Sequence, residues 1–146
     1  MNPITKHITA LFGLSEQNAG IFLSQFTRTE LKKNDLFMAE GQVCNKVGLI
    51  EQGLMKCVFN KDGEEVVFEF AHEYNFISDY YSFVTNTPSE KEIRCLEDTT
   101  VHVITREKLQ QLAAERGCGH LWIRLRNLGR LCFERNSRRV IGFWSH

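Results

Sequence analysis

The tetrapeptide Lys61-Asp62-Gly63-Glu64 separates two stretches in which apolar side chains alternate with polar ones. Asp-Gly readily takes the positive φ angles of a two-residue hairpin turn, and alternation is the period of a strand with one buried face. The two stretches are therefore predicted to pair as antiparallel neighbours. Strict alternation then places Val66, Phe68 and Phe70 on one face and Val67, Glu69 and Ala71 on the other. Short runs rich in Val, Ile, Phe and Tyr recur at 27–31, 36–39, 46–51, 54–60, 65–71, 92–96 and 100–104. Turn residues, Gly41 and Gly53 among them, separate these runs at the spacing of an all-β sandwich or barrel.

Helical patterns flank this β region. Pro3 suits a first helical turn, and Ile4, Ile8, Leu11 and Phe12 follow at helical spacing until Gly13 interrupts. Ser15 reads as the N-cap of a second helix bearing Ala19, Phe22, Leu23 and Phe26. After residue 104, Thr105 is an N-cap candidate for a short helix with Leu109, Leu112 and Ala113 on its apolar stripe. Lys108 at its third position forms no capping box. Gly117 and Gly119 then break the chain before a longer helix over 120–138. There Leu121, Leu125, Leu128 and Cys132 follow the 4-3-4 spacing of a coiled-coil seam, while Trp122, Ile123, Leu131 and Phe133 widen the apolar surface. Packing on its own barrel and pairing with a second copy both fit this pattern; the two apolar surfaces favour a homodimer. Three parts are expected: a helical segment 1–26, a barrel 27–116, and a dimerisation helix with a short tail 117–146.

A chain of 146 residues fits one domain. No apolar run approaches the roughly 18–20 residues that span a bilayer, and residues 1–11 lack a signal peptide's features, so a cytoplasmic protein without membrane contact is expected. The five cysteines are scattered and form no C-x-x-C pair, which argues against a disulfide framework or a zinc knuckle. Cys118 and His120 lie close together, but a metal would need two further ligands, and His72 stands alone. No Walker A, G-x-S-x-G or H-E-x-x-H motif occurs, so no catalytic residue, metal or certain cofactor is assigned and an enzyme is not expected. The zero net charge hides an asymmetry: residues 116–146 hold seven arginines against Glu134, a balance of +6, and residues 1–115 carry −6. Arg130, Arg135, Arg138 and Arg139 read either as phosphate contacts or as the solvated face of the long helix; without a recognition helix the second reading is preferred.

The order of helices, short strands and closing helix resembles a cyclic nucleotide-binding domain, and local motifs agree. Lys33-Asn34-Asp35-Leu36-Phe37-Met38-Ala39-Glu40-Gly41-Gln42 is similar to that family's opening segment, and Gly48-Leu49-Ile50-Glu51-Gln52-Gly53-Leu54 to its strand and turn. Asp62-Gly63-Glu64-Glu65 resembles the hairpin before the ligand cassette, and Glu92-Ile93-Arg94-Cys95-Leu96-Glu97-Asp98-Thr99 the strand leading out of it. The resemblance, covering most of residues 25–135, implies a mainly β fold. More narrowly, it implies a double-stranded β-helix (jelly-roll) barrel with N-terminal helices and a long C-terminal helix. Within the family the chain is most similar to the sensor halves of transcription regulators of the cyclic AMP receptor and fumarate–nitrate regulator type. Residues 138–146 fall short of a winged helix, so contact with DNA is expected only through a missing or separate output domain. No cysteine precedes Cys44, which excludes an N-terminal iron–sulfur cluster.

Such a cassette offers a phosphate an arginine and N–H donors, and offers a ribose hydroxyl a carboxylate. The corresponding stretch runs over residues 76–91. Asp79 falls on the family's glutamate, Ser78 on its glycine, Ser89 on its arginine and Glu90 on its serine. Lys91 is the nearby cation, and a lysine cannot reproduce a guanidinium fork. Tight cyclic AMP binding is therefore not expected. Two readings stay open. In one, an unidentified small-molecule effector binds among Phe70, Ile77, Ser78, Asp79, Tyr80, Tyr81, Ser82, Ser89 and Lys91. In the other, Tyr80, Tyr81 and Phe83 plug the barrel, which is kept as a ligand-free dimerisation or interaction module.

Overall fold

The structure, a computed structural model, describes residues 2–114. The 120–138 helix, its seam Leu121, Leu125, Leu128 and Cys132, and the arginine-rich end lie outside the described residues. Asn2 opens the first helix, α1 (Pro3–Phe12), by accepting from Ile4 N at 2.9 Å, and Gly13 ends it in the left-handed region. Ser15 caps α2 (Glu16–Ser24) as expected, through Asn18 N at 3.1 Å. Phe26, expected on this helix, falls beyond its end, and Leu11 is exposed; both departures leave Ile4, Ile8, Phe12, Ala19 and Phe22 as the inward stripe.

Eight strands follow: β1 (Thr27–Leu31), β2 (Leu36–Met38), β3 (Lys46–Gln52), β4 (Met55–Lys61), β5 (Glu64–Ala71), β6 (Phe76–Ile77), β7 (Lys91–Cys95) and β8 (Thr99–Thr105). They form two four-stranded antiparallel sheets, ordered β1-β8-β3-β6 and β2-β7-β4-β5, the mainly β jelly roll that the sequence predicts. A short helix, α3 (Tyr80–Thr85), crosses between β6 and β7, and α4 (Arg106–Ala114) follows β8 with Thr105 accepting from Lys108 N at 3.2 Å.

Between the sheets lie Ile50, Met55, Cys57, Ile93, Cys95 and Val101, continuous with the buried face of α1 and α2. Phe12 is the joint: its ring meets Phe22 at 5.3 Å and Phe76 at 6.2 Å. Burying one large aliphatic or aromatic side chain contributes about 1.5–3 kcal/mol, so this single cluster holds helices and sheets together. Gly48 is part of the fit. A Cβ there would stand 2.9 Å from Val101 and 3.0 Å from both Ile77 and Phe37.

The hairpin β4–β5 has the expected turn, with positive φ at Asp62 (52°) and Gly63 (83°). Its register corrects the expected faces. Val58 pairs with Val67 but Cys57 pairs with Glu69, so Phe68 is an extra residue in β5. Such a bulge reverses the alternation beyond it. Phe68 accordingly packs on Phe59 at 6.2 Å, whereas Phe70, paired with Lys56, is 56% exposed.

At the end of β3, Gly53 adopts φ +121°, and a Cβ there would lie 2.3 Å from Thr99 Oγ1 and 2.7 Å from Thr99 Cα. Gly53→Ala combines a disfavoured φ with a backbone collision and should cost at least about 3 kcal/mol. Urea unfolding measures this loss, and a variant with unchanged midpoint would mean that the β3–β4 turn relaxes freely.

Candidate functional site

The chain segment between β6 and β7 builds the site at one end of the barrel. Asp79 is extended (φ −94°, ψ 95°), and its side chain caps α3 by accepting from Ser82 N at 3.5 Å. Asn86 closes the helix in the left-handed region with φ 57°. A cap is needed because a helix of six residues has few internal hydrogen bonds and many orphan donors and acceptors. The rest of the Asp79 carboxylate is also engaged. Ser89 Oγ donates to Oδ2 in a short hydrogen bond, and Lys91 Nζ stands 3.6 Å from Oδ1. Lys91 N in turn donates to Ser89 Oγ at 3.0 Å. Only 4% of the Asp79 side chain and 20% of the Lys91 side chain remain exposed. A carboxylate so deeply placed must find donors or be neutralised, and here three different groups supply them.

Lys91 also reaches over the Phe68 ring, 4.0 Å from its centroid. Lys91 pairs with Phe59 across the β4–β7 ladder, which puts its side chain on the same inward face as the Phe59–Phe68 aromatic pair. Beneath them Cys57 is buried, its thiol pKa pushed up to about 12 by loss of water. The nearby Lys91 ammonium opposes that rise, and Asp79 and Glu69 add to it. Deeper still, Cys57, Met55, Ile93 and Cys95 are all fully enclosed, whereas Phe59, Phe68 and Lys91 are only half-buried. The barrel is thus filled with apolar side chains at one level and lined with aromatic and charged ones above it.

The nine residues predicted from sequence separate clearly. Asp79, Ser89 and Lys91 come together as one network. Ser78 and Ser82 flank it but bind backbone: Ser78 Oγ donates to Lys46 O at 2.9 Å, and Ser82 Oγ donates to Thr87 O at 2.6 Å while accepting from Cys44 N at 2.8 Å. Ile77 belongs to the core, and Tyr80 is half-buried. Tyr81, 55% exposed, and Phe70, 56% exposed, lie at the surface. Of the three aromatic residues of α3, Phe83 is buried, Tyr80 half-buried and Tyr81 exposed. Phe59, Phe68, Glu69 and Cys57 were not expected here; the bulge accounts for Glu69, which it turns toward Cys57 while turning Phe70 away.

Two other features bear on chemistry. Lys46, half-buried, rests 4.3 Å from the Phe37 ring centroid, and burial lowers its pKa. Among the described residues, no group of three His, Cys, Asp or Glu is placed to hold a metal ion, and no helix is long and apolar enough to cross a membrane.

Comparison with known proteins follows the same lines. Residues 28–116 match the family model described as the cyclic nucleotide-binding domain. The fold is similar to a cyclic nucleotide-binding domain from Methylobacillus flagellatus, at 17% identity and TM-score 0.78 over 97% of this chain and 84% of that one. It is similar also to the Thermus thermophilus catabolite activator protein, at 17% identity and TM-score 0.73, over 91% of this chain and 60% of that one. A third likeness is to a mutant of CooA from Carboxydothermus hydrogenoformans, at 15% identity and TM-score 0.65, over 89% and 80% of the two chains. No curated protein matches the sequence itself.

Removing the hub should be costly. Asp79→Ala deletes the α3 cap, worth about 1 kcal/mol, and strands Ser89 and Lys91 without an acceptor, worth about 1–3 kcal/mol more. We expect a loss of about 2–4 kcal/mol on urea unfolding; a loss below about 0.5 kcal/mol would mean that water replaces the carboxylate without penalty.

Proposed function

Since the chain belongs to the cyclic nucleotide-binding domain family, we propose that it is a non-catalytic sensor module, of the kind found in transcription regulators, whose cassette does not bind cyclic AMP in the family's way. The observation that carries this reading is the engagement of Asp79. The carboxylate that would accept from a ribose hydroxyl is already occupied by Ser89, Lys91 and the α3 cap. Ser89 stands where a phosphate-binding arginine is expected, and Lys91 is partly neutralised by Asp79. A lysine point charge does not replace two parallel guanidinium hydrogen bonds.

An effector other than cyclic AMP is supported by the half-buried inward groups Phe59, Phe68 and Lys91, which combine an aromatic wall with a polar anchor. The alternative, a ligand-free barrel kept for dimerisation or protein interaction, is supported by the self-contained bonding of Asp79. In either case the proposed module pairs as a homodimer through Leu121, Leu125, Leu128 and Cys132 and acts in the cytoplasm.

Two measurements test this. A ligand with Kd near 10 μM would, at about 1 mM, stabilise the fold by about 2.7 kcal/mol and raise Tm by several degrees. We expect cyclic AMP at that concentration to leave Tm unchanged; a saturable rise would overturn the reading. Leu125→Glu places a charge in the proposed seam and should convert dimers to monomers on size-exclusion chromatography with light scattering, whereas a persistent dimer would refute the seam.

A further inference from the structure

Lys46 is the first residue of β3, and strand alternation puts it on the same face as Gly48 and Ile50. Gly48 shows where that face looks, since a Cβ there would meet Val101, Ile77 and Phe37 between the sheets. The Lys46 ammonium accordingly reaches the Phe37 ring, 4.3 Å from its centroid. It is half-buried and forms no ion pair among the described residues. Two other lysines differ: Lys56 is held by Glu65 at 2.5 Å and Lys91 by Asp79 at 3.6 Å. An aromatic face attracts a cation modestly, whereas taking an ammonium out of water without a counter-ion costs more. Loss of water therefore lowers the Lys46 pKa, and the neighbouring Cys44 sulfur opposes this only in part. The same residue supports the entry to the cassette, because its carbonyl accepts from Ser78 Oγ at 2.9 Å and from the Cys44 thiol at 3.4 Å.

A partly desolvated amine without a carboxylate partner has the properties that make lysines nucleophiles. We propose that Lys46 is an acylation site, taking its acyl group from a small acyl phosphate. The Nζ lone pair forms a bond to the carbonyl carbon, and the bond from that carbon to the phosphate oxygen breaks. Phosphate leaves with the electron pair, and the surplus proton on nitrogen passes to water. No oxidant or reductant is involved. The charge left behind decides between this and other electrophiles. An alkylated amine would still be a cation, and a carbamate formed from carbon dioxide would place an anion in the same spot. An amide is neutral, so acylation removes the charge that has no counter-ion. The meaning of this modification as a signal rests on the sensor reading above, with an acyl donor as the effector; its chemistry does not.

Acetyl phosphate added to the 146-residue chain, with each lysine followed by mass spectrometry, tests the proposal. Near neutral pH, Lys46 should be acetylated faster than the exposed Lys6, Lys32 and Lys33, and its rate should level off at a lower pH than theirs. Lys56 and Lys91, which have carboxylate partners, should lag behind it. A second measurement reads the charge itself. Because folding lowers this pKa, the ammonium destabilises the fold at neutral pH, and the loss fades only as pH rises toward the ordinary lysine range. Lys46→Met keeps an apolar stem without the charge and should melt about 2 °C or more above the native chain. The proposal is overturned if Lys46 reacts no faster than Lys6, Lys32 and Lys33, or if its rate levels off together with theirs. A Lys46→Met chain that melts at or below the native temperature overturns it as well. Failure of the sensor reading has a separate signature, a saturable rise of Tm with cyclic AMP, which plays no part in the acetylation map.

Discussion

A carboxylate removed from water must be surrounded by donors, and that requirement at Asp79 organises the cassette end of this barrel. One oxygen caps α3 and faces the Lys91 ammonium; the other accepts from Ser89. The three donors come from the helix it starts, from the loop before β7 and from β7 itself. Asp79 thus fixes where α3 begins, how the loop returns and which way Lys91 points. The Lys91 ammonium, held by the carboxylate on one side, lies against Phe68 on the other. Removing any member leaves the others with unmet charge or hydrogen bonds, which is why the network acts as one unit.

The same bonding limits what the site can recognise. A phosphate needs donors free to converge on it, and a ribose hydroxyl needs an open acceptor. Asp79 is engaged internally by Ser89, Ser82 N and Lys91, and Lys91 presents a compact charge beside an aromatic wall formed by Phe59 and Phe68. The depth of the barrel below is closed by Met55, Cys57, Ile93 and Cys95. Burial keeps the Cys57 thiol protonated, so this floor is chemically inert as well as apolar. The half-buried groups Phe59, Phe68 and Lys91 lie between this floor and α3.

Much of the scaffold was legible because its signals are local. Asp62-Gly63 specifies a turn whose φ angles few other pairs adopt, Ser15 and Gly13 punctuate the first helices, and Gly53 marks a position that cannot carry a side chain. The lining of the site was less legible because it depends on register. One additional residue at Phe68 moves Phe70 from the interior to the surface while Phe68 stays inward, against Phe59. Nothing in the alternation of Val66 to Ala71 distinguishes the regular strand from the bulged one, since apolar residues stand on both faces. Asp79, Ser89 and Lys91 were identified by position within a resemblance, but their mutual bonding was not. Spacing of ten and twelve residues along the chain says nothing of a shared carboxylate.

Identities of 17% with structures of TM-score 0.78 and 0.73 show how little of the sequence such a fold demands. The demanding positions include Gly53, where a positive φ and the Thr99 backbone exclude a side chain, and Gly48, where a Cβ would require Val101, Ile77 or Phe37 to shift. The cassette is under a weaker constraint. It must cap a short helix and neutralise whatever charge it buries, and several sets of residues satisfy those two conditions. An arginine and a glutamate that await a phosphate and a ribose are one solution. Asp79, Ser89 and Lys91 bonded to each other are another, which is stable without a ligand because its donors and acceptors already match. Fold and cassette chemistry therefore rest on different residues: Gly48 and Gly53 serve the first, Asp79, Ser89 and Lys91 the second.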